Sequence, residues 1–136
     1  MVAEHNRVRK NVGQAPIIWN DKLAEGAKVH ANKCKFAHST QGERTVNGVM
    51  LGENLAQGGP YDMYSEQALF RLWEDEKKDY VYPQGPGDSK TGVTGHYTQI
   101  INAKVVEVGC ACTKCDNNKF CVCRYNPIQY GGQPPY

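Results

Sequence analysis

The chain has 136 residues and a mass of 15.2 kDa, the size of one domain with a real core rather than two. Lysine plus arginine number 16 against 14 aspartate plus glutamate, and this net charge of +2 shows no basic stripe, which disfavours nucleic acid as a partner. No apolar run approaches the ~20 residues of a bilayer span, so no transmembrane segment is expected, and 40% hydrophobic residues with 14 glycines and 7 prolines describe a globular chain with long irregular connections.

Residues 2–10 read as a short helix with Val2, His5 and Val8 along one side, clipped at its start and ending near Asn11-Val12-Gly13. Pro16-Ile17-Ile18-Trp19 is an extended apolar link. Asn20 or Asp21 then caps a helix whose Leu23, Ala27, Ala31 and Cys34 share one stripe, which turns Cys34 inward. Lys35 to Met63 is glycine-rich and polar, too long for an ordinary connection and typical of a functional loop region. Ser65 caps a third helix with Ala68, Leu69, Leu72, Trp73, Glu76 and Tyr80 along one face. A carboxylate on a buried stripe needs a partner, because desolvation alone costs several kcal/mol or raises its pKa. The candidates are His5, His30, His38 and His96; the alternative is a slightly rotated helix with Glu76 solvated beside Lys77 or Lys78. After a second loop over 81–95 and the apolar run Thr98-Gln99-Ile100-Ile101, residues 104–112 and 119–125 read as strands joined by Asp116-Asn117-Asn118. Helices first and strands last make the fold class α+β, in a single domain over 1–136 without repeat or linker.

Six cysteines, Cys34, Cys110, Cys112, Cys115, Cys121 and Cys123, are held either by disulfides or by a metal. Cys112 and Cys115 form one Cys-x-x-Cys, but Cys121 and Cys123 are spaced Cys-x-Cys, a poor fit to a structural zinc site. Cysteines on paired strands can be bridged, so disulfides are preferred, with the pairing left open. Disulfides imply an oxidising compartment, hence an extracellular, secreted protein. Residues 1–20 carry no signal-peptide pattern, so a signal peptide removed ahead of Met1 is expected. No Asn-x-Ser/Thr occurs, and N-glycosylation is not expected.

Four segments in order, His5-Asn6-Arg7-Val8-Arg9, Gly52-Glu53-Asn54-Leu55-Ala56, Gly95-His96-Tyr97-Thr98-Gln99-Ile100-Ile101 and Cys123-Arg124-Tyr125-Asn126-Pro127, resemble the CAP superfamily of cysteine-rich secretory, antigen five and pathogenesis-related proteins. The ending Gly132-Gln133-Pro134-Pro135-Tyr136 and Glu53-Asn54-Leu55-Ala56-Gln57-Gly58 look most like the plant pathogenesis-related branch. The resemblance implies a disulfide-stapled three-layer α-β-α sandwich around a largely antiparallel sheet. It also implies a central cleft of His38, Glu53, Glu76 and His96, a structural role for His5, and no cleft role for His30. It pairs Cys34 with Cys110 and Cys115 with Cys123, leaving Cys112 for Cys121. Departures from the pattern are Ser89 or Lys90 and Thr94 where a further cysteine pair is common, which implies a more mobile loop from Tyr80 to Thr94. Asn102 stands where a tryptophan usually follows the Gly-His-Tyr-Thr-Gln strand, and Pro127-Ile128-Gln129-Tyr130 departs from the usual Pro-x-Gly-Asn.

Three functions follow. The resemblance places sterol or small-lipid binding on the loop Tyr80-Val81-Tyr82-Pro83, where Tyr80, Tyr82 and Pro83 would cover a rigid apolar ligand in a defence or host-interaction setting, plant defence included. Two imidazoles and two carboxylates, His38, His96, Glu53 and Glu76, can hold Zn2+ or another divalent cation, though no cofactor is required. The alternatives are a hydrolase with His96 or His38 as base, a glutamate as orienter and Ser39 as nucleophile, or a scaffold docking on a protein receptor. The expected assembly is a monomer.

Overall fold

The computed structural model describes residues 1–129 and 132–136. α1 (Val2–Asn11) buries His5, Val8 and Arg9, and α2 (Asp21–Ala31) starts where the Asn20 side chain accepts from Lys22 and Leu23 N–H. A single turn, α3 (Gln41–Arg44), opens on a capping box between Thr40 and Glu43. The small hairpin β2 (Thr45–Val46) and β3 (Val49–Met50) turns through Asn47-Gly48, both at positive φ. β4 (Gly52–Gly58), α4 (Glu66–Glu74) capped by Ser65, a 3-10 turn over Asp75–Asp79, and α5 (Gly95–Ile101) precede the hairpin β5 (Glu107–Cys115) and β6 (Asn118–Asn126). With β1 (Ile18–Trp19) the main sheet has the order β1-β5-β6-β4, parallel only at β1–β5. No helix among the described residues is long and apolar enough to cross a membrane.

The two-residue period of the strands assigns the layers. Along β6, Phe120 and Val122 join Leu55, Ala27 and Ala31 on the α2 side, while Cys121, Cys123 and Tyr125 join Val108, Leu69, Phe70, Trp73 and Ile100 on the side of α1, α4 and α5. The result is the expected α-β-α sandwich. Gly109 lets α2 lie close on β5, since a Cβ there would sit 2.2 Å from the Ala24 amide nitrogen.

Several expectations are corrected. The segment from Gly95 to Ile101 is helix α5, not a strand, because Tyr97 through Ile101 are buried on all sides. The hairpin runs three residues further into the cysteine segment, turning at Asp116-Asn117 with Asp116 at φ 54. On α4 the buried stripe is Leu69, Phe70 and Trp73, and Leu72 is 49% exposed, so the apolar face is rotated from the expected one. Cys34 lies beyond the end of α2, at φ 53 and exposed, rather than on its inward stripe.

The disulfides are Cys34–Cys115, Cys110–Cys123 and Cys112–Cys121, which overturns two of the three expected pairs. Register and parity explain them. Cys110 lies directly opposite Cys123 and Cys112 opposite Cys121, with Cα atoms 4.1 Å apart in both pairs. Cys115 is an odd number of residues from Cys110 and Cys112, so it points to the α2 face, where Ala31 and the following Cys34 are the neighbours. In the departure at Pro127-Ile128-Gln129-Tyr130, Tyr130 lies outside the described residues.

Candidate functional site

β4 is an edge strand, and its first residues present chemistry on both sheet faces. Glu53 lies opposite Arg124 on the α2 side. Its side chain is fully buried and accepts from the Ser39 amide at 2.9 Å, from the Ser39 hydroxyl, from His38 Nδ1 at 3.0 Å and from Arg124 Nε at 3.2 Å. Burial alone would raise the pKa of this carboxyl; the hydrogen bonds from His38 and Ser39 outweigh it and hold the group at about 2. Arg124 Nη2 also donates to Ser39 Oγ at 2.7 Å, so this hydroxyl is buried and held between a guanidinium and a carboxylate.

On the opposite side Glu76, in the 3-10 turn after α4, meets the start of α5. Its Oε1 accepts from the amides of His96 and Tyr97, both at 3.0 Å, and its Oε2 from His96 Nδ1 at 2.6 Å. Glu76 is thus half-buried and lies past the end of α4 rather than on its buried stripe, and its carboxylate pairs with His96, not with Lys77 or Lys78. The His96 ring stacks on Trp73 at 13° with centroids 6.2 Å apart, and Trp73 is fixed by its Nε1 bond to Leu55 O. Asn54 Nδ2 donates to His96 O and to Tyr125 Oη, both at 3.1 Å, and Tyr125 Oη meets His5 Nε2 at 2.7 Å. With His5 Nδ1 on Met1 O at 2.8 Å, His5 is a buried core residue, and its desolvation lowers its pKa to about 4. His30 is likewise a helix residue, with Nε2 on Ala37 O.

His38, Glu53, Asn54, Gly95, His96 and Gln129 line one cleft of about 200 Å3. Each ring presents Nδ1 to a carboxylate, and among the described residues neither Nε2 has a protein partner. Among the described residues one group of three His/Cys/Asp/Glu donors lies close enough to share an ion, His5 with Cys110 and Cys123, and it offers no thiolate because the two cysteines are bridged to each other; the cleft residues do not form such a group. Arg124, Asn54 and Gln129 were not assigned roles by sequence reasoning; the signal for Arg124 was strand parity, which puts it on the face opposite Cys123 and Tyr125.

The aromatic loop is not free-standing. Tyr80 packs on Tyr97 with centroids 5.6 Å apart, and burial raises its hydroxyl pKa to about 12. Tyr82 is 55% exposed and stacks on Tyr136 at 5.0 Å; Pro83 beside it is exposed. Neither tyrosine uses Trp73 as its ring partner.

The model of the CAP, cysteine-rich secretory protein, family matches residues 2–125. Venom allergen 5 of Polistes fuscatus is 34% identical over 158 residues, a match spanning 100% of this chain and 77% of the allergen. Venom allergen 5 of Polybia scutellaris rioplatensis is 35% identical over 159 residues, spanning 100% and 76%. Among solved structures, Na-ASP-1 superposes with a TM-score of 0.85 at 25% identity; the match covers 99% of this chain but only 40% of that one. Venom allergen-like protein 4 of Schistosoma mansoni gives 0.80 at 28%, covering 99% and 90%. NaASP2, solved with Zn2+, gives 0.84 at 24% identity over 99% and 82% of the two chains, a likeness of fold alone. These matches do not select the plant branch.

Proposed function

Because this chain belongs to the CAP, or cysteine-rich secretory protein, family, we propose that it is an extracellular binding module of defence or host interaction whose cleft takes a divalent cation on His38 and His96. The observation that carries this reading is that two carboxylates, reaching in from opposite faces of the sheet, each hold an imidazole by Nδ1, and both histidines line one cleft with no protein partner on Nε2 among the described residues. A carboxylate behind a ligating histidine fixes its tautomer and raises its basicity, and neutral imidazole suits zinc. Glu53, already taken up by four donors, orients rather than ligates. Two protein ligands with water completing the shell make an exchangeable site. NaASP2, a protein of the same fold, was crystallised with Zn2+, which agrees with this reading.

The test is calorimetric titration with zinc at neutral pH. Wild type gives saturable heat, His38→Ala with His96→Ala abolishes it, and Glu53→Gln weakens it by about tenfold or more. Identical heats from wild type and the double variant would overturn the proposal. A hydrolytic role for Ser39 fits less well, since its hydroxyl is buried and engaged by Glu53 and Arg124.

A second reading, small-lipid or sterol binding at the Tyr80–Pro83 loop, is favoured by Val81 at 63% and Tyr82 at 55% exposure beside the Tyr82–Tyr136 stack. Titration with a fluorescent sterol should give binding that survives loss of both cleft histidines and falls on Tyr80→Ala with Tyr82→Ala. Equal binding by all variants would sink the loop assignment.

A further inference from the structure

We infer that a cavity of about 240 Å3 between the end of α5 and the C-terminal segment is a separate binding site, for a small planar aromatic ligand carrying a carbonyl or hydroxyl oxygen. Ile128, Pro134, Pro135 and Tyr136 supply its apolar walls, and Asn102 and Lys104 stand among its polar ones. That composition, mostly apolar with a few groups to orient the ligand, is what small-molecule sites share.

The cavity is held open by bonds that do not depend on an occupant. Ala103 N–H donates to Pro135 O at 2.7 Å, Gly132 N–H to Pro86 O at 3.2 Å, and Tyr82 Oη to Tyr136 O at 3.2 Å, with the two tyrosine rings stacked. The segment lies so close on the loop that a Cβ at Gly85 would meet the Gln133 carbonyl oxygen at 2.3 Å. The roof is therefore a built part of the fold.

Asn102 marks where a ligand oxygen belongs. The residue is only 7% exposed, and its backbone carbonyl accepts from Arg9 Nη1 at 2.8 Å and from the Val105 amide at 3.2 Å. Its Oδ1 accepts from Lys104 N–H at 2.9 Å, which fixes the amide so that Nδ2 is the other arm. Among the described residues Nδ2 has no protein partner, and it is not one of the fully buried side-chain atoms that lack one, so on a residue that lines the cavity it keeps contact with solvent. A donor that meets only solvent at the wall of a cavity is free to take an acceptor oxygen on a bound molecule in place of that water.

Size and shape set the rest. The volume lies below the roughly 300–1,000 Å3 of drug-sized pockets, room for one or two fused rings and not for a four-ring sterol. Proline and tyrosine faces are flat and stiff, suited to stacking a ring. The site is thus distinct from the lipid reading of the Tyr82 loop and does not rest on cation binding in the cleft.

The probe is coumarin, a neutral two-ring lactone, followed by calorimetry and by the Asn102 side-chain amide signal in 1H–15N NMR spectra of the intact, oxidised chain. Wild type is expected to bind one coumarin saturably, with that amide shifted along the titration. Asn102→Leu, which keeps the space and removes the donor, should weaken binding about fivefold to tenfold. Asn102→Trp should fill the cavity and abolish binding, and His38→Ala should leave it unchanged, which separates this site from the cleft. Coumarin binding that is unaltered in Asn102→Leu, or an Asn102 amide that does not move at millimolar coumarin, overturns the proposal whether or not the tryptophan variant folds.

Discussion

Breaking the Cys34–Cys115 bridge should cost far more stability than breaking Cys112–Cys121, although both join well-formed elements. The first spans 81 residues and is the one covalent tie between the segment after α2 and the end of β5; the second spans 9 and lies inside the 13-residue span of Cys110–Cys123. On loop-closure entropy the long bridge contributes about 4.5 kcal/mol. The short one contributes at most about 2.5 kcal/mol, and less in practice because the outer hairpin bridge already restricts the same unfolded segment. Substitution to alanine avoids burying new hydroxyls, which matters at Cys121, wholly buried, and at Cys115. Urea unfolding of Cys34→Ala with Cys115→Ala against Cys112→Ala with Cys121→Ala, at equal slopes, measures the difference directly. An equal loss in the two double variants would refute the chain-entropy reasoning, and a mixed-disulfide product in peptide mapping would refute the pairing itself.

Acidification should lower stability in two windows. The native pKa of His5 is about 4 against 6.5, so the unfolded chain takes up a proton the native state refuses. Stability then falls by about 3 kcal/mol as pH drops from 6.5 to 4, and His5→Gln flattens that limb. Glu53, depressed from 4.5 to about 2, stabilises the fold above 4.5, and a further ~3 kcal/mol is lost as pH falls through 2; the difference between wild type and Glu53→Gln should vanish at the acid end. Arg124→Ala leaves the Glu53 carboxylate buried without its ion-pair partner and should cost about 3–5 kcal/mol in chemical denaturation, with broadened His38 ring signals. Gly109→Ala drives a methyl into the α2 backbone and should cost at least 1–3 kcal/mol, unless α2 moves outward, which a crystal structure of the variant would show.

How much of this was legible depends on whether the signal is local. The Asn20 and Ser65 caps, the α2 stripe of Leu23, Ala27 and Ala31, and the turn at Asp116-Asn117 are written in neighbouring residues and appear where the sequence puts them. The α4 face was misjudged because Leu72 and Phe70 are both apolar, and only the neighbours His5 and Trp73 decide that Phe70 turns inward. α5 was missed because its polar residues Thr98 and Gln99 are buried with Tyr97, Ile100 and Ile101, so the short segment shows no apolar-in, polar-out period to detect. The bridges were misassigned because the pairs were carried over from the resemblance; strand parity decides them only once the register is known, and the register sets Cys110 opposite Cys123 and Cys112 opposite Cys121.

The cleft shows the same division at the level of chemistry. His38, Glu53, Glu76 and His96 could be named from motifs, but whether the four converge as ligands or divide into two pairs is a property of the sheet. Glu53 leaves β4 on the α2 face and meets His38 from the loop after α2. Glu76 comes from the turn after α4 on the other face and reaches His96 by accepting the first amides of α5. The pairs meet only at the open edge of β4, because no further strand covers Gly52–Gly58 on that side among the described residues. An edge strand, ordinarily a liability, here gives two imidazoles a shared opening while their carboxylates stay behind them. It follows that mutating Asn54, which touches neither glutamate yet ties the His96 carbonyl to Tyr125, should loosen one pair and leave the other intact. Asn54→Ala should shift the His96 ring resonances while those of His38 stay in place, and coupled movement of both rings would mean that the cleft is a single unit after all.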